Sequence, residues 1–180
     1  MTADGSKGPA DYARECVAAH VTGQAAPEPP DDPVYRRRAA CFVSLKEHGD
    51  LRGCIGTLEP AEASLGLEIV RNACSAALRD PRFFRVRPDE LPELTCSVDV
   101  LSESEPCGVA DLDPKVYGVI VRAGLRRGVL LPDLEGIDDA GRQVAIALQK
   151  AGISPGEPFA VERFTVTRYR EGDPPRADDA

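Results

Sequence analysis

The chain has 180 residues, 42% of them hydrophobic and 29% charged, which suits one domain, or two intimate subdomains, with a sizeable buried core. Its net charge of -8 excludes a general phosphate-backbone binder, because that function needs a basic surface. No apolar run approaches membrane-spanning length, and Met1–Pro9 has no apolar stretch of signal-peptide type, so a cytoplasmic protein is expected.

The first ten residues read as a flexible N-terminus. Asp11–Gly23 then reads as a helix, with Ala13, Cys16, Val17, His20 and Val21 on one apolar stripe and Gly23 as the stop. Gln24–Val34 holds four prolines and reads as an extended linker that cannot be helical. Ala39–Lys46 and Asp50–Leu58 read as strands joined by a three-residue loop, Glu47-His48-Gly49. That loop sets Leu45 opposite Leu51, Ser44 opposite Arg52 and Phe42 opposite Cys54. Leu51, Gly53 and Ile55 then share a face with Val43 and Leu45, and Arg52 and Cys54 share the other with Phe42, Ser44 and Lys46.

Ser64–Arg79 reads as a helix capped by Ser64 and ended by Asp80-Pro81. Leu94–Leu101 alternates as a strand, with Thr95, Ser97 and Asp99 outward. Tyr117–Val121 and Leu125–Leu131 form a second hairpin around Ala123-Gly124. Asp138–Ala151 is a helix stopped by Gly152, Ala160–Tyr169 a last strand, and residues 171–180 a polar, disordered tail. Hairpins and single strands, without strict strand–helix alternation, predict an α+β fold: antiparallel sheet with helices packed on it.

The segment Leu51–Gly56, Leu-Arg-Gly-Cys-Ile-Gly, carries the most distinctive chemistry. A guanidinium and a thiol two apart on a strand project together, and a fixed cation favours the thiolate. Gly53 and Gly56 clear side-chain bulk on either side, so a ligand could approach the backbone. Lys46 and Ser44 on the same face suit a carboxylate or phosphate, and Arg82 and Arg127 could join them. The competing reading is a tightly packed strand with a small thiol in the core and Arg52 in a salt bridge. His20 and His48 read as a core-edge and a loop-tip residue, neither well placed as a base for Cys54. The six cysteines include no C-x-x-C pair, so free thiols and no metal site are expected. Arg36–Arg38 and Arg126-Arg127 read as solvated strand edges or loops. Walker, G-x-G-x-x-G, G-x-S-x-G and H-E-x-x-H motifs are missing from the sequence, which argues against the chemistries they serve.

Leu51–Gly56, preceded by Cys41-Phe42-Val43-Ser44-Leu45, resembles the signature of the AMMECR domain family, also called AmmeMemoRadiSam system protein A. Asp80-Pro81-Arg82-Phe83, Glu90-Leu91-Pro92, Ser97–Leu101 and Gly124–Pro132 resemble later stretches of that family, so the likeness runs from about Asp11 to Tyr169. The resemblance implies two closely joined subdomains within residues 11–170, with the signature lining a cleft between them. It also implies association with a Memo-type protein and a radical-SAM protein. It names no reaction and no cofactor. The chain departs from the family at Asp133, where a glutamine is usual, and Asp133–Ala140 is short.

Three functional readings follow. In the first, Cys54 is a reactive thiol acting on a small anionic substrate, with Arg52 activating it and Lys46 and Arg82 assisting. In the second, the chain is a non-catalytic adaptor for a Memo-type or radical-SAM partner. In the third, the signature is a core strand and the function lies elsewhere.

Overall fold

The computed structural model describes residues 7–176. In chain order the elements are α1 (Pro9–Val21), α2 (Pro33–Arg36), β1 (Cys41–Glu47), β2 (Asp50–Gly56), α3 (Leu65–Leu78), β3 (Leu94–Leu101), β4 (Glu105–Pro106), β5 (Gly118–Ala123), β6 (Arg126–Leu130), α4 (Ala140–Ala151), β7 (Ala160–Phe164) and β8 (Val166–Arg170). They form two four-stranded sheets, ordered β2-β1-β3-β8 and β4-β7-β5-β6, an α+β fold as the sequence predicts. The chain divides into two compact units. One holds the residues up to Val100 and from Thr167 onward; the other is Leu101–Val166. None of the helices among the described residues is long and apolar enough to cross a membrane.

In the first unit, Val43 and Leu45 of β1, Val98 of β3 and Ile69 and Ala73 of α3 are fully buried in one apolar core with Tyr12, Cys16 and Val17 of α1. The Ser64 hydroxyl accepts from Leu67 N and caps α3, as its position predicts. The proline-rich stretch does contain a helical turn. Pro33 takes the first position of α2, where a missing N–H costs nothing, and Asp32 caps it. Val34 and Tyr35 are buried there, and the Tyr12 hydroxyl donates to Pro27 O at 2.9 Å, so the linker is strapped to the core.

In the second unit, α4 packs through Val144, Ala147 and Leu148 onto Val119 and Val121 of β5. Asp139 caps its start and Gly152 ends it in the left-handed conformation, φ 66°. The single strand expected over 160–169 is two strands in different sheets, β7 pairing with β5 and β4 while β8 belongs to the first sheet. Residues 171–176, expected in a disordered tail, are hydrogen-bonded: Glu171 Oε1 accepts from Cys96 N at 2.6 Å, and Asp11 accepts from Gly172 N. The helix α1 begins at Pro9, inside the stretch expected to be flexible. Residues 1–6 and 177–180 of the two expected termini lie outside the described residues.

One packing device occurs in both units. A methyl group on Gly53 of β2 would lie 2.3 Å from the Ala76 carbonyl oxygen of α3. On Gly128 of β6 it would lie 1.9 Å from the Ala147 carbonyl oxygen of α4. Each helix backbone rests directly on a strand glycine, a separation closed to any residue with a Cβ. Gly53→Ala is therefore expected to destabilise the fold by about 2–3 kcal/mol in urea unfolding, since the clash is with backbone. Gly156→Ala, where nothing lies within 4 Å, should change stability by less than about 0.5 kcal/mol.

Candidate functional site

The β1–β2 hairpin closes on two residues instead of three. His48 (φ 50°) and Gly49 (φ 89°) both take left-handed angles, the type I′ pattern, and Glu47 pairs with Asp50. Lys46 then pairs with Leu51, but Leu45 pairs with Gly53, so Arg52 is the extra residue of a bulge. Beyond the bulge Ser44 stands opposite Cys54 and Phe42 opposite Gly56. This corrects the register read from the sequence, in which Ser44 faced Arg52. The bulge exchanges two side chains. Leu51, expected in the core, joins the face of Lys46 and Ser44, and Arg52 leaves it.

Arg52 is instead held elsewhere. Its side chain is 14% exposed and meets Glu90, 15% exposed, through Nε–Oε1 at 2.9 Å and Nη2–Oε2 at 3.2 Å. Nη1 also donates to Phe84 O at 2.9 Å. The Arg52 guanidinium holds the Glu90 carboxyl below the usual carboxylate range.

Asp80 and Arg82 occupy the free edge of β2. Asp80, with a side chain 2% exposed, accepts from Cys54 N at 2.9 Å, while Arg82 Nη2 donates to Cys54 O at 3.1 Å and to Asp80 Oδ2 at 2.7 Å. The pair satisfies both outward backbone groups of Cys54 and blunts the edge strand. The hydrogen bonds from Arg82 hold the Asp80 carboxyl well below its ordinary range.

The face of the first sheet that carries Ser44 holds a groove of about 420 Å³. It is lined by Ser44, Lys46 and Leu51, by Thr95 and Ser97 of β3, and by Arg168 and Arg170 of β8, with Cys96 and Glu171. Its volume falls in the range of small-ligand sites. Arg168 is anchored by two bonds to Asp99, at 2.6 and 2.7 Å, which buries that carboxylate. Lys46 and Arg170 form no ion pair among the described residues.

The Cys54 sulfur accepts from the Ser44 hydroxyl at 3.1 Å, so it lies one hydrogen bond from a groove residue without lining the groove itself. It is half-buried, as are Cys74 and Cys107, whereas Cys16, Cys41 and Cys96 are buried. Burial pushes those three thiols up, to about 11 for Cys16 and about 12 for Cys41 and Cys96. The histidines are engaged elsewhere: His20 Nε2 lies 3.1 Å from Val70 O, and His48 Nδ1 3.8 Å from Glu93.

Of the residues singled out from the sequence, Ser44 and Lys46 line the groove, Cys54 is bonded to Ser44, and Arg82 reaches the Cys54 carbonyl, whereas Arg52 is turned to Glu90. Gly53 faces α3 and Gly56 lies against the Phe42 ring, so packing accounts for both glycines. Arg127 is in the second unit, paired on β6 with Arg122 of β5. Thr95 and Ser97 were legible as outward strand positions but not as neighbours of Lys46. Arg168 and Arg170 carried no local signal, because only the sheet order places β8 beside β3.

The AMMECR1 family model matches residues 10–172. A Thermotoga maritima protein is 51% identical over 148 residues, covering 78% of this chain and 85% of that one. A Clostridium acetobutylicum protein is 47% identical over 163 residues, 88% of this chain, but the chain spans only 35% of its length. The crystal structure of an uncharacterized protein from Pyrococcus horikoshii superposes with a TM-score of 0.82 at 27% identity, covering 97% of this chain and 95% of that one.

Asp80→Asn removes a carboxylate whose folded-state value is lowered. Such a group contributes stability in full above its unfolded value of ~3.9 and loses it as pH falls through the folded one. The variant is expected to be less stable at pH 7 by about 2 kcal/mol. The gap to the parent should narrow as pH is taken below ~4, checked by urea unfolding across pH.

Proposed function

The chain belongs to the AMMECR1 family, and from that premise we propose that it takes a small anionic ligand into the groove of its first sheet. The observation that carries this reading is the convergence of Lys46 and Arg170, neither ion-paired among the described residues, with the hydroxyls of Ser44, Thr95 and Ser97. Ammonium, guanidinium and hydroxyl donors on one concave surface suit a carboxylate or phosphate group. Leu51, brought in by the bulge, offers an apolar wall for the rest of the molecule.

The finer reading makes Cys54 a reactive thiol acting on that ligand. Its support is the Ser44–Cys54 bond, which ties the sulfur to the groove's polar floor. Arg52 and Arg82 enter as positioning residues in this scheme, since their guanidinium groups are committed to Glu90 and Asp80. A cytoplasmic location belongs to the same proposal and suits six free thiols.

A second reading draws on the length of the Clostridium relative, in which the matched region is about a third of the chain. A domain joined to a larger polypeptide in one relative suits work beside a partner protein in another. The Memo-type and radical-SAM proteins implied by the sequence resemblance are the proposed partners.

Two alkylating agents of opposite character test the groove and the thiol together. Iodoacetate is expected to modify Cys54 faster than iodoacetamide does, relative to a free model thiol, with the site assigned by mass spectrometry. Lys46→Ala and Arg170→Ala should each lower that preference by about tenfold, the worth of one charge-assisted hydrogen bond. Equal preference in parent and variants would remove the anion site. A Cys54 no faster than the model thiol, with ligand binding unchanged in Cys54→Ser, would remove the thiol and leave the groove.

A further inference from the structure

Phe84 is 95% exposed, yet the backbone around it is pinned. Arg52 donates to its carbonyl at 2.9 Å, Phe83 N donates to Asp80 O at 3.2 Å, and Val86 N donates to Ala77 O at 2.8 Å with the Val86 side chain buried. An isolated exposed apolar residue needs no explanation on a protein surface. Here, however, a shielded Arg–Glu pair holds the segment that carries the ring, and the ring itself touches almost nothing. A phenyl group with two side-chain torsions on an ordered backbone has little entropy left to lose on binding.

The charge of the segment is as distinctive as the ring. Residues 79–87 hold four arginines against the single carboxylate of Asp80, in a chain of net charge -8. Arg82 is matched by Asp80 and Arg87 by Asp89, whereas Arg79 and Arg85 form no ion pair among the described residues. Aromatic and arginine side chains are the types enriched where proteins meet.

We infer that residues 79–87 form a docking surface for an acidic segment of a partner protein, with Phe84 as its apolar anchor and Arg79 and Arg85 as its charged flanks. The occupant needs one apolar contact for the ring beside carboxylates for the arginines. An anionic membrane fits less well, because one ring gives little insertion and the rest of the chain would be repelled. Nucleic acid is disfavoured by the same net charge. The inference does not depend on the groove.

Selection of a random displayed peptide library on the full chain, with Phe84→Ala as counter-selection, tests it. The enriched peptides should combine Asp or Glu with a large apolar residue. A synthetic peptide of the consensus should bind Phe84→Ala and Arg85→Glu about tenfold more weakly than the parent and lose affinity with added salt. Both variants should melt with the parent, since neither side chain is buried. Peptides that bind Phe84→Ala as tightly as the parent, or a selection with no enrichment, would overturn the inference. So would Phe84-dependent co-sedimentation with phosphatidylserine vesicles, or self-association in sedimentation velocity that Phe84→Ala abolishes, without an acidic peptide ligand.

Discussion

The seating of α3 on Gly53 governs the rest of the first unit. With the Ala76 carbonyl oxygen 2.3 Å from where a Cβ would be, the helix can rest this close to the strand only where the strand has a glycine. Leu45 of β1 packs opposite Gly53, its side chain beside the same close approach, while the I′ turn of His48-Gly49 sets Lys46 opposite Leu51. Two residues of β1 cannot match three of β2 without a bulge, and the surplus residue is Arg52. The bulge is thus where two separately fixed constraints are reconciled. It delivers Leu51 to the groove and sends Arg52 to Glu90. The second unit repeats the seating at Gly128 beneath α4, again just after an arginine. The Arg-Gly pairs of the two hairpins share a packing cause in the glycine, whatever the arginines do.

Charge around the signature is divided by task. Arg52 and Arg82 satisfy carboxylates and backbone carbonyls, and Asp80 and Glu90 are themselves satisfied by main-chain donors, at Cys54 and at Arg87. The same economy holds Glu68, which is fully buried on α3. It accepts from Ala61 N and Glu62 N at 2.9 and 2.8 Å and from the Thr57 hydroxyl. The cations left without carboxylate partners among the groove's residues are Lys46 and Arg170, from strands β1 and β8.

The sequence was legible wherever a local rule decided the outcome. Ser64 and Gly152 mark helix ends because capping is settled within a turn. The α+β class followed from hairpin spacing. What failed was whatever a distant element decides. Nothing local to Leu51 says that it will face a lysine, because the bulge answers to Ala76 on another element. The break at Thr165 between β7 and β8 is invisible in a run of strand-forming residues, since each half is a good strand and only the sheets differ. Pro33 misled through the general rule for prolines, to which the first helical position is the exception. That Ser44, Lys46 and Cys54 share one face of the hairpin was legible because a strand's alternation survives a two-residue register error. That Arg168 and Arg170 lie beside them was not legible, because sheet order is not a local property.

If the groove takes an anion, as proposed, its place in an acidic chain bears on which anions would enter it. Unpaired charges a few ångströms from a ligand act at full strength, whereas the charge of the whole molecule is felt by anything longer than about a Debye length, roughly 8 Å at physiological salt. A small carboxylate or phosphate inside the groove meets Lys46 and Arg170 first. A polyanion laid across the same mouth must also approach a surface of net charge -8. The two ranges act with opposite sign, so under the proposed function the surrounding charge would favour compact monomeric anions over polyanions. On the same proposal, the hydroxyls of Thr95 and Ser97, with that of Ser44 once released from Cys54, would favour groups with several acceptor oxygens over a bare halide, because each hydroxyl can turn to donate.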